Sequence, residues 1–194
     1  MNVNGNINIE YEARVMITEN QYSLIMKSYD GKGRKLVNTN YYFDDEKKTL
    51  TNNGVVLRVR NIDDKYFELT LKIKGVNGDK EINYSLTSKE AGLLIGKCDF
   101  NREEIAKEIK AYGLDTNDLK LITSLKTERL EIDDKKHLIV IDKNYYNNKV
   151  DFNIEVESTS KTLANQCLDQ ICSKFNIENK KDYISKSRRA IYNL

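Results

Sequence analysis

The chain has 194 residues, of which 39% are hydrophobic and 32% are charged, as expected for a globular domain rather than a disordered chain. Its 32 basic and 30 acidic residues leave a formal net charge of only +2, which disfavours a protein held to a nucleic acid polymer by charge alone. We expect one domain over residues 1–194, long enough to bury a core without disulfides.

The N-terminal residues and the cysteines indicate the compartment. Residues 1–8 are rich in asparagine and lack the basic start and apolar stretch of a signal peptide. The longest apolar runs, such as residues 138–141, are too short to cross a membrane. The cysteines Cys98, Cys167 and Cys172 have no metal-ligand spacing, so we expect reduced thiols. These features predict a cytoplasmic protein without a membrane partner.

The N-terminal half of the chain reads mainly as strands. Residues 7–17 alternate between apolar and charged side chains, which predicts a strand, and Thr18 with Gln21 has the capping-box pattern that starts a helix. Asp63-Asp64 is predicted to form a tight hairpin turn. Further strands are predicted at residues 38–45, 55–62, 65–74, 80–86, 121–132, 137–142 and 150–157.

Helices are predicted between these strands and after them. Thr87 and Asn101 are each followed three residues later by glutamate, so both are expected to cap a helix. A last amphipathic helix is predicted at residues 160–175, and its apolar stripe consists of Leu163, Cys167, Ile171 and Phe175. The order of these elements indicates an α+β domain with about eight strands in an antiparallel sheet.

Charged side chains gather on one face of the predicted strands, because side chains alternate across a strand. We call this face the charged face. It comprises Glu10, Glu12, Arg14, Arg58, Arg60, Glu68, Thr70, Lys72, Lys74, Glu81, Asn83, Ser85, Thr127, Arg129, Glu131, Asp151, Asn153, Glu155 and Glu157. Such a face can simply point to water, as in many half-exposed antiparallel sheets.

The charges of this face are segregated by strand, which favours a ligand over water. Adjacent like charges repel one another and are better tolerated when they hold a counter-ion. Carboxylate pairs provide hard oxygen ligands for Mg²⁺ or Mn²⁺, and arginine pairs fit phosphate oxygens. The carboxylate pairs are Glu10/Glu12 and Glu155/Glu157, and the cation pairs are Arg58/Arg60 and Lys72/Lys74.

Several motifs along the chain resemble the CYTH superfamily, which comprises class IV adenylyl cyclases, thiamine triphosphatases and inorganic triphosphatases, also called triphosphate tunnel metalloenzymes. Glu10-Tyr11-Glu12-Ala13-Arg14 resembles the ExExK signature of that family. The other matching segments, in chain order, are Asn40-Tyr41-Tyr42-Phe43-Asp44, Leu57-Arg58-Val59-Arg60, Leu69-Thr70-Leu71-Lys72, Thr127-Glu128-Arg129, Asp151-Phe152-Asn153-Ile154-Glu155-Val156-Glu157 and the C-terminal Lys186-Ser187-Arg188-Arg189. The resemblance covers about residues 9–189 and is greatest to bacterial members.

The resemblance implies a fold, a chemistry and a set of site residues. The implied fold is a closed eight-stranded antiparallel β-barrel, or tunnel, with the charged face inside and helices packed on the outside. The implied metal ligands, for Mg²⁺ or Mn²⁺, are Glu10, Glu12, Glu155 and Glu157. The implied phosphate-binding residues are Arg58, Arg60, Lys72, Lys74, Arg129, Lys186 and Arg189.

The sequence departs from the family pattern at Arg14, Thr127 and Asn153. Arg14 stands where the signature has its lysine, which makes it the candidate catalytic position. Because a guanidinium stays charged at any ordinary pH, Arg14 is expected to bind phosphate well and to serve poorly as a base. Thr127 replaces a lysine two residues before Arg129, and Asn153 replaces a commonly acidic residue.

The function that the resemblance implies is metal-dependent hydrolysis of a triphosphate. The substrate is expected to be tripolyphosphate or a small organic triphosphate, such as thiamine triphosphate or a nucleotide. Two alternatives remain open: adenylyl cyclase activity on ATP, and non-catalytic binding of polyphosphate or a nucleotide.

Overall fold

The structure is a computed structural model that describes residues 6–76, 78–100, 102–180 and 184–194, with side chains described from Tyr11 onwards. The strands are β1 (Asn6–Ile17), β2 (Arg34–Asp44), β3 (Val55–Ile62), β4 (Tyr66–Ile73), β5 (Asp79–Leu86), β6 (Lys120–Asp133), β7 (His137–Tyr146) and β8 (Lys149–Ser158). The helices are α1 (Glu19–Ser28), α2 (Thr49–Asn52), α3 (Ser88–Lys97), α4 (Glu103–Lys110), α5 (Lys161–Lys174) and α6 (Lys186–Tyr192). Residues Thr116–Asp118 form a short 3-10 helix.

The hydrogen-bonded order of the strands is β1-β5-β4-β3-β2-β6-β7-β8, and β8 pairs with β1 to close the barrel. The pairs β3–β4, β4–β5, β6–β7, β7–β8 and β1–β8 are antiparallel. The predicted α+β fold with eight antiparallel strands is therefore confirmed. The turn predicted at Asp63-Asp64 is confirmed as well, since both residues have positive φ and the backbone N–H of Lys65 donates to the Ile62 carbonyl across them at 3.0 Å.

Capping boxes start two of the predicted helices. The side chains of Thr18 and Thr87 accept hydrogen bonds from the backbone N–H groups of Gln21 and Glu90, whose side chains bond back to the cap residue. Helix α4 begins after Arg102, whose side chain makes no capping bond, and the third predicted box stays a prediction. Asn101 itself lies outside the described residues.

Two short helices were not predicted, because neither is long enough to show a helical hydrophobic period. Helix α2 is held by the buried carboxylate of Asp44 rather than by a pattern of its own. This carboxylate accepts hydrogen bonds from the backbone N–H groups of Leu50 and Thr51, both at 2.9 Å, and from the Thr51 hydroxyl at 2.6 Å. Helix α6 contains the C-terminal basic motif.

Two compact units, each assembled from separate stretches of sequence, make up the described chain. The first lies within residues 1–9, 39–125 and 186–194, and the second within residues 10–38 and 126–185. That residues 1–194 act as one domain stays a prediction.

In the first unit, the apolar side chains of β3, β4 and β5 face the helices that follow them. Leu57, Leu69 and Leu71 are almost fully buried and belong to one cluster with Ile105 and Ile109 of α4. Their strand neighbours on the opposite face are the charged residues that the alternation predicted. The apolar core therefore orients the charged face of this unit away from the helices.

The second unit has the same layering. Ile141, Ile154 and Val156 are fully buried in a cluster with residues of α1 and α5. The predicted stripe of α5 is right for Cys167 and Ile171 but wrong for Leu163, which is 42% exposed. The buried residues of this helix are Ala164, Cys167, Leu168, Ile171 and Cys172, which cover a wider arc than the predicted stripe.

No helix in the described part of the chain is both long and apolar enough to cross a membrane. The cysteines Cys98, Cys167 and Cys172 are free thiols, as predicted.

Candidate functional site

The second unit brings the acidic motifs of β1 and β8 side by side. In the antiparallel ladder between these strands, Glu12 is opposite Glu157 and Arg14 is opposite Glu155. The side chain of Glu10 lies outside the described part of the structure. Glu155 is 4% exposed and Arg14 is 9% exposed, so this part of the charged face is not an open surface in water.

Arg14 holds the two acidic motifs together. Its Nε donates a hydrogen bond to the Glu155 carboxylate, and its Nη2 donates one to the Glu12 carboxylate. These partners belong to different strands and to segments more than a hundred residues apart in sequence. Arg14 therefore neutralises carboxylates that would otherwise repel each other at close range.

Arg129 on β6 contacts the same carboxylate from the other side. Its Nε and Nη2 donate to Asp142 of β7 at 2.9 and 3.0 Å, and its Nη2 also lies 3.5 Å from Glu155. Burial alone would lower the pKa of Arg129, but Asp142, then Glu155, outweigh it and raise the pKa above its ordinary value. Arg129 is therefore a fixed cation with a forked geometry that also suits phosphate.

Asp142 is a site residue that the sequence reasoning missed. It is fully buried and holds Arg129 through both of its carboxylate oxygens. The signal was present, because Val140, Asp142 and Asn144 alternate along β7 on the charged face. Asp142 is the last residue of the predicted strand, whereas β7 continues to Tyr146, so the polar alternation of Asp142 with Asn144 was not recognised.

The departures at Thr127 and Asn153 belong to one hydrogen-bond network, which is centred on Asn144. The Thr127 hydroxyl donates to the Asn144 side-chain oxygen at 2.9 Å. The Asn144 side-chain nitrogen donates to Asn153 and to Asp151, each at 2.8 Å. Thr127 and Asn153 thus share Asn144 as a hydrogen-bond partner.

The carboxylates of the second unit fit a divalent cation in chemistry and in arrangement. Glu12 and Glu155 supply hard oxygen ligands from adjacent strands and already converge on one positive group, Arg14. Within the described residues, no group of three or more metal-binding side chains lies together. Mg²⁺ commonly takes only one or two carboxylates and completes its shell with water and substrate phosphates, so a converging pair suffices.

The first unit carries the predicted basic pairs. Arg58 and Arg60 alternate on β3, opposite Thr70 and Glu68 of β4. Arg60 Nε donates to the Asn40 side-chain oxygen at 3.0 Å, which holds its guanidinium in place. The buried Nε of Arg58 makes no hydrogen bond to any described residue. A buried N–H without a hydrogen bond destabilises the protein unless a ligand or a water molecule accepts a hydrogen bond from it.

Lys72 of β4 lies in the same face and is ion-paired. Its ammonium is 2.8 Å from Glu81 and 3.5 Å from Asp79, both on β5. Burial raises the pKa of Glu81, but Arg58, followed by Lys72, outweighs burial and lowers the pKa to about 2. Glu81 was placed on the charged face by its alternation, but its role as counter-ion of the basic residues was not predicted. We call Arg58, Arg60 and Lys72 the basic set.

The depressed pKa of Glu81 predicts a specific acid sensitivity. A carboxyl whose pKa falls from 4.5 to about 2 on folding stabilises the native state above pH 4.5. This stabilisation, at most about 3 kcal/mol, is lost as the pH falls through about 2. We expect Glu81→Gln to have a lower free energy of unfolding than the wild type at pH 7. The difference between the two proteins should become progressively smaller below pH 4.5. Urea unfolding from pH 7 to pH 2 measures this.

The control for that titration is Glu103→Gln, since Glu103 is an exposed carboxylate at the start of α4 in the same unit. If the difference in free energy of unfolding between the wild type and Glu81→Gln stayed constant down to pH 2, the proposed charge pairing would be contradicted.

The remaining predicted phosphate-binding residues have different surroundings. Lys74 follows the end of β4 and is exposed. Lys186 begins α6 and is half-buried, whereas Arg189 on the same helix is 7% exposed. The hydroxyl of Tyr192, at the end of α6, donates to the Asn52 side chain of α2. This contact docks the basic C-terminal helix onto α2.

The family follows from comparison with known proteins. The CYTH domain model matches residues 8–190 of the chain. The chain belongs to the CYTH family. The predicted relation to this family is thereby confirmed.

Relatives of this CYTH domain are known in sequence and in structure. It is 29% identical over 172 residues to the Bacillus subtilis (strain 168) protein named "Putative triphosphatase YjbK", covering 87% of each chain. A Bacillus halodurans crystal structure described as a putative adenylate cyclase has a TM-score of 0.86 at 26% identity, covering 94% of this chain and 97% of that one. The plant protein HpAC1 from Hippeastrum, described as a putative adenylyl cyclase with a dominant triphosphatase activity, has a TM-score of 0.76 at 14% identity, with 95% coverage of each chain. The predicted fold is thus shared with these solved structures.

Proposed function

We propose that this CYTH domain hydrolyses a short triphosphate in a reaction that needs Mg²⁺ or Mn²⁺. The observation that carries the proposal is the hydrogen-bonded arrangement of Glu12, Arg14, Glu155, Arg129 and Asp142, which we call the carboxylate–arginine set. It places carboxylates for a cation beside guanidinium groups for phosphate. The family relative whose name denotes a triphosphatase supports the same reaction class.

The chain's own residues account for most of what phosphoryl transfer requires, because positioning and charge neutralisation dominate that reaction. Glu12 and Glu155, with Glu10 and Glu157 as further candidates, are proposed to hold the cation. Arg14 and Arg129 are proposed to bind phosphate oxygens through their forked donors. A divalent ion supplies Lewis acidity and lowers the pKa of a bound water.

The basic set of the first unit is proposed to bind phosphate oxygens as well. Arg60 is held in place by Asn40, and the Arg58 Nε is a buried donor without a hydrogen bond to the described residues. Lys72 is neutralised by Glu81, so it contributes a locally balanced charge rather than a strong anion site. Lys74, Lys186 and Arg189 extend this proposal as further phosphate ligands.

Adenylyl cyclase activity is the second candidate, since the Bacillus halodurans relative of known structure is described as a putative adenylate cyclase. Cyclisation and hydrolysis share the need for metal and triphosphate binding, and they differ in the nucleophile. A protein that binds polyphosphate or a nucleotide without turning it over is the third possibility.

One experiment separates these functions. The protein is incubated with tripolyphosphate, ATP and thiamine triphosphate, each with Mg²⁺, with Mn²⁺ and with excess chelator. We expect orthophosphate release that stops with chelator and returns when the metal is restored. Cyclic AMP from ATP would instead favour a cyclase, and tight binding without product a sensor. Undiminished hydrolysis in excess chelator would exclude the metal-dependent mechanism.

A further inference from the structure

Arg14 and Arg129 both contact Glu155, but they are held in different ways. Arg129 is held by Asp142, with two hydrogen bonds of 2.9 and 3.0 Å to a fully buried carboxylate. Its distance to Glu155 is longer, 3.5 Å. Arg14 instead donates to Glu12 and Glu155, which are the carboxylates proposed to bind the cation.

A divalent cation and the Arg14 guanidinium therefore compete for the same oxygen atoms. An ion from solvent can reach this pair, because the Glu12 side chain is 22% exposed and the Arg14 side chain is 11% exposed. The Asp142 side chain, which holds Arg129, is fully buried. A displaced guanidinium in a partly buried position needs a new anionic partner. A phosphate group is the partner best suited to its fork of donors.

We propose that Arg14 is a resident counter-cation of the Glu12–Glu155 pair, which a divalent ion displaces and which then binds a phosphate group of the substrate. This inference rests on the proposed metal and triphosphate binding and adds a coupling between them. Metal binding frees Arg14 for phosphate, and phosphate binding to Arg14 frees the carboxylates for metal. The two ligands should consequently strengthen each other's binding by the same factor.

The coupling depends on arginine, rather than the signature lysine, being at position 14. A guanidinium can bridge two carboxylates with separate N–H groups, as Nε and Nη2 of Arg14 do. A lysine ammonium is a compact point charge without that fixed fork. Compared with lysine, arginine at this position therefore competes more strongly with the metal for the two carboxylates, and it binds phosphate better once it is displaced.

The test measures binding of Mn²⁺ to the protein without any substrate, using the electron paramagnetic resonance signal of free Mn²⁺. Removal of the competitor in Arg14→Gln should tighten Mn²⁺ binding about fivefold or more, the scale of typical coupling between sites. The matched control is Lys143→Gln, which removes one positive charge from β7 on the face that packs against Phe152. Its Mn²⁺ affinity should stay near that of the wild type.

The second arm measures binding of a methylene-bridged, hydrolysis-resistant analogue of tripolyphosphate by calorimetry. With Mn²⁺, we expect the wild type to bind the analogue more tightly than Arg14→Gln does. In chelator, Arg14 remains on its carboxylates and the two proteins should bind the analogue about equally. Unchanged or weaker Mn²⁺ binding by Arg14→Gln would overturn the inference, as would an equal loss of analogue affinity with and without metal.

A measurement on the wild type covers the case in which Arg14→Gln does not fold. The Nε–H resonances of Arg14 and Arg129 are followed by NMR while Mg²⁺ is added. The Arg14 signal should shift strongly and the Arg129 signal, held by Asp142, should shift little. An unmoved Arg14 signal at saturating Mg²⁺ would overturn the displacement.

The failure of this inference is distinguishable from failure of the proposed function. Metal-dependent hydrolysis together with an Arg14 that does not compete with Mn²⁺ would refute the counter-cation alone. Competition and displacement without turnover of any triphosphate would refute the hydrolase alone.

Discussion

Replacing Glu155 with glutamine is expected to lower the rate of tripolyphosphate hydrolysis by about 100-fold or more, the scale of losing one preorganised charge-stabilising group. Glu155 accepts hydrogen bonds from Arg14 and Arg129 and is 4% exposed. The substitution keeps the shape of the side chain and removes its charge, so a cation loses one of its two converging carboxylates. Initial rates at saturating Mg²⁺ and Mn²⁺ measure the effect.

The matched control is Glu128→Gln, on the opposite face of β6 within the same unit. It removes the same charge and should retain nearly full activity. Because loss of a buried ion-pair partner can itself cost about 3–5 kcal/mol, thermal melting must establish that Glu155→Gln is folded. Glu12→Gln, at a more exposed position, provides a second variant with the same expected direction. Full activity in both variants would refute the assignment of these carboxylates.

The strands and their faces could be predicted because alternation is a local property of the sequence. Strand β3 was predicted with its observed bounds, and Arg58 and Arg60 lie on the predicted face. The capping boxes at Thr18 and Thr87 are also local, since each is completed within three residues. The unpredicted helix α2 is different, because it is held by a carboxylate, that of Asp44, which precedes it in β2.

The pairing inside the candidate site could not be predicted in the same way. The contact of Arg14 with Glu155 depends on the register of β1 against β8, which joins distant segments of the chain. The partner of Arg129 was missed because it lies on β7, whose polar alternation extends beyond the predicted end of that strand. Alternation along each strand predicts which residue types lie on the charged face, whereas the register between strands decides which of them neutralise each other.

Tripolyphosphate is expected to raise the melting temperature of the wild type, and Arg58→Gln should remove most of that increase. A ligand at about 100 times its dissociation constant stabilises the native state by about 2.7 kcal/mol. For a chain of this length, such a stabilisation corresponds to about 5–10 °C. Loss of a forked phosphate ligand that weakens binding by 10- to 100-fold, or about 1.4–2.7 kcal/mol, would cancel half or more of this gain.

Arg58 is the most informative residue of the basic set to replace, because its Nε lacks a hydrogen-bond partner among the described residues, whereas Arg60 and Lys72 have one. Its Nε is buried without a hydrogen bond to the described residues, so a bound phosphate oxygen would satisfy it at little cost. Arg60 and Lys72 already have Asn40 and Glu81 as partners. Removing Arg58 therefore takes away a donor that is poised for ligand rather than one committed to the fold.

The control for Arg58→Gln is Lys65→Gln, an exposed cation at the hairpin between β3 and β4 in the same unit. Both variants lose one positive charge, so a general charge effect would lower the tripolyphosphate response of each equally. Melting curves without ligand check that Arg58→Gln remains folded, since Arg58 also stabilises the ionised form of Glu81. An Arg58→Gln response equal to that of the wild type, measured over a tripolyphosphate titration, would mean that Arg58 serves Glu81 alone. The phosphate-binding role of β3 would then rest on Arg60, and the buried donor of Arg58 would be satisfied by water.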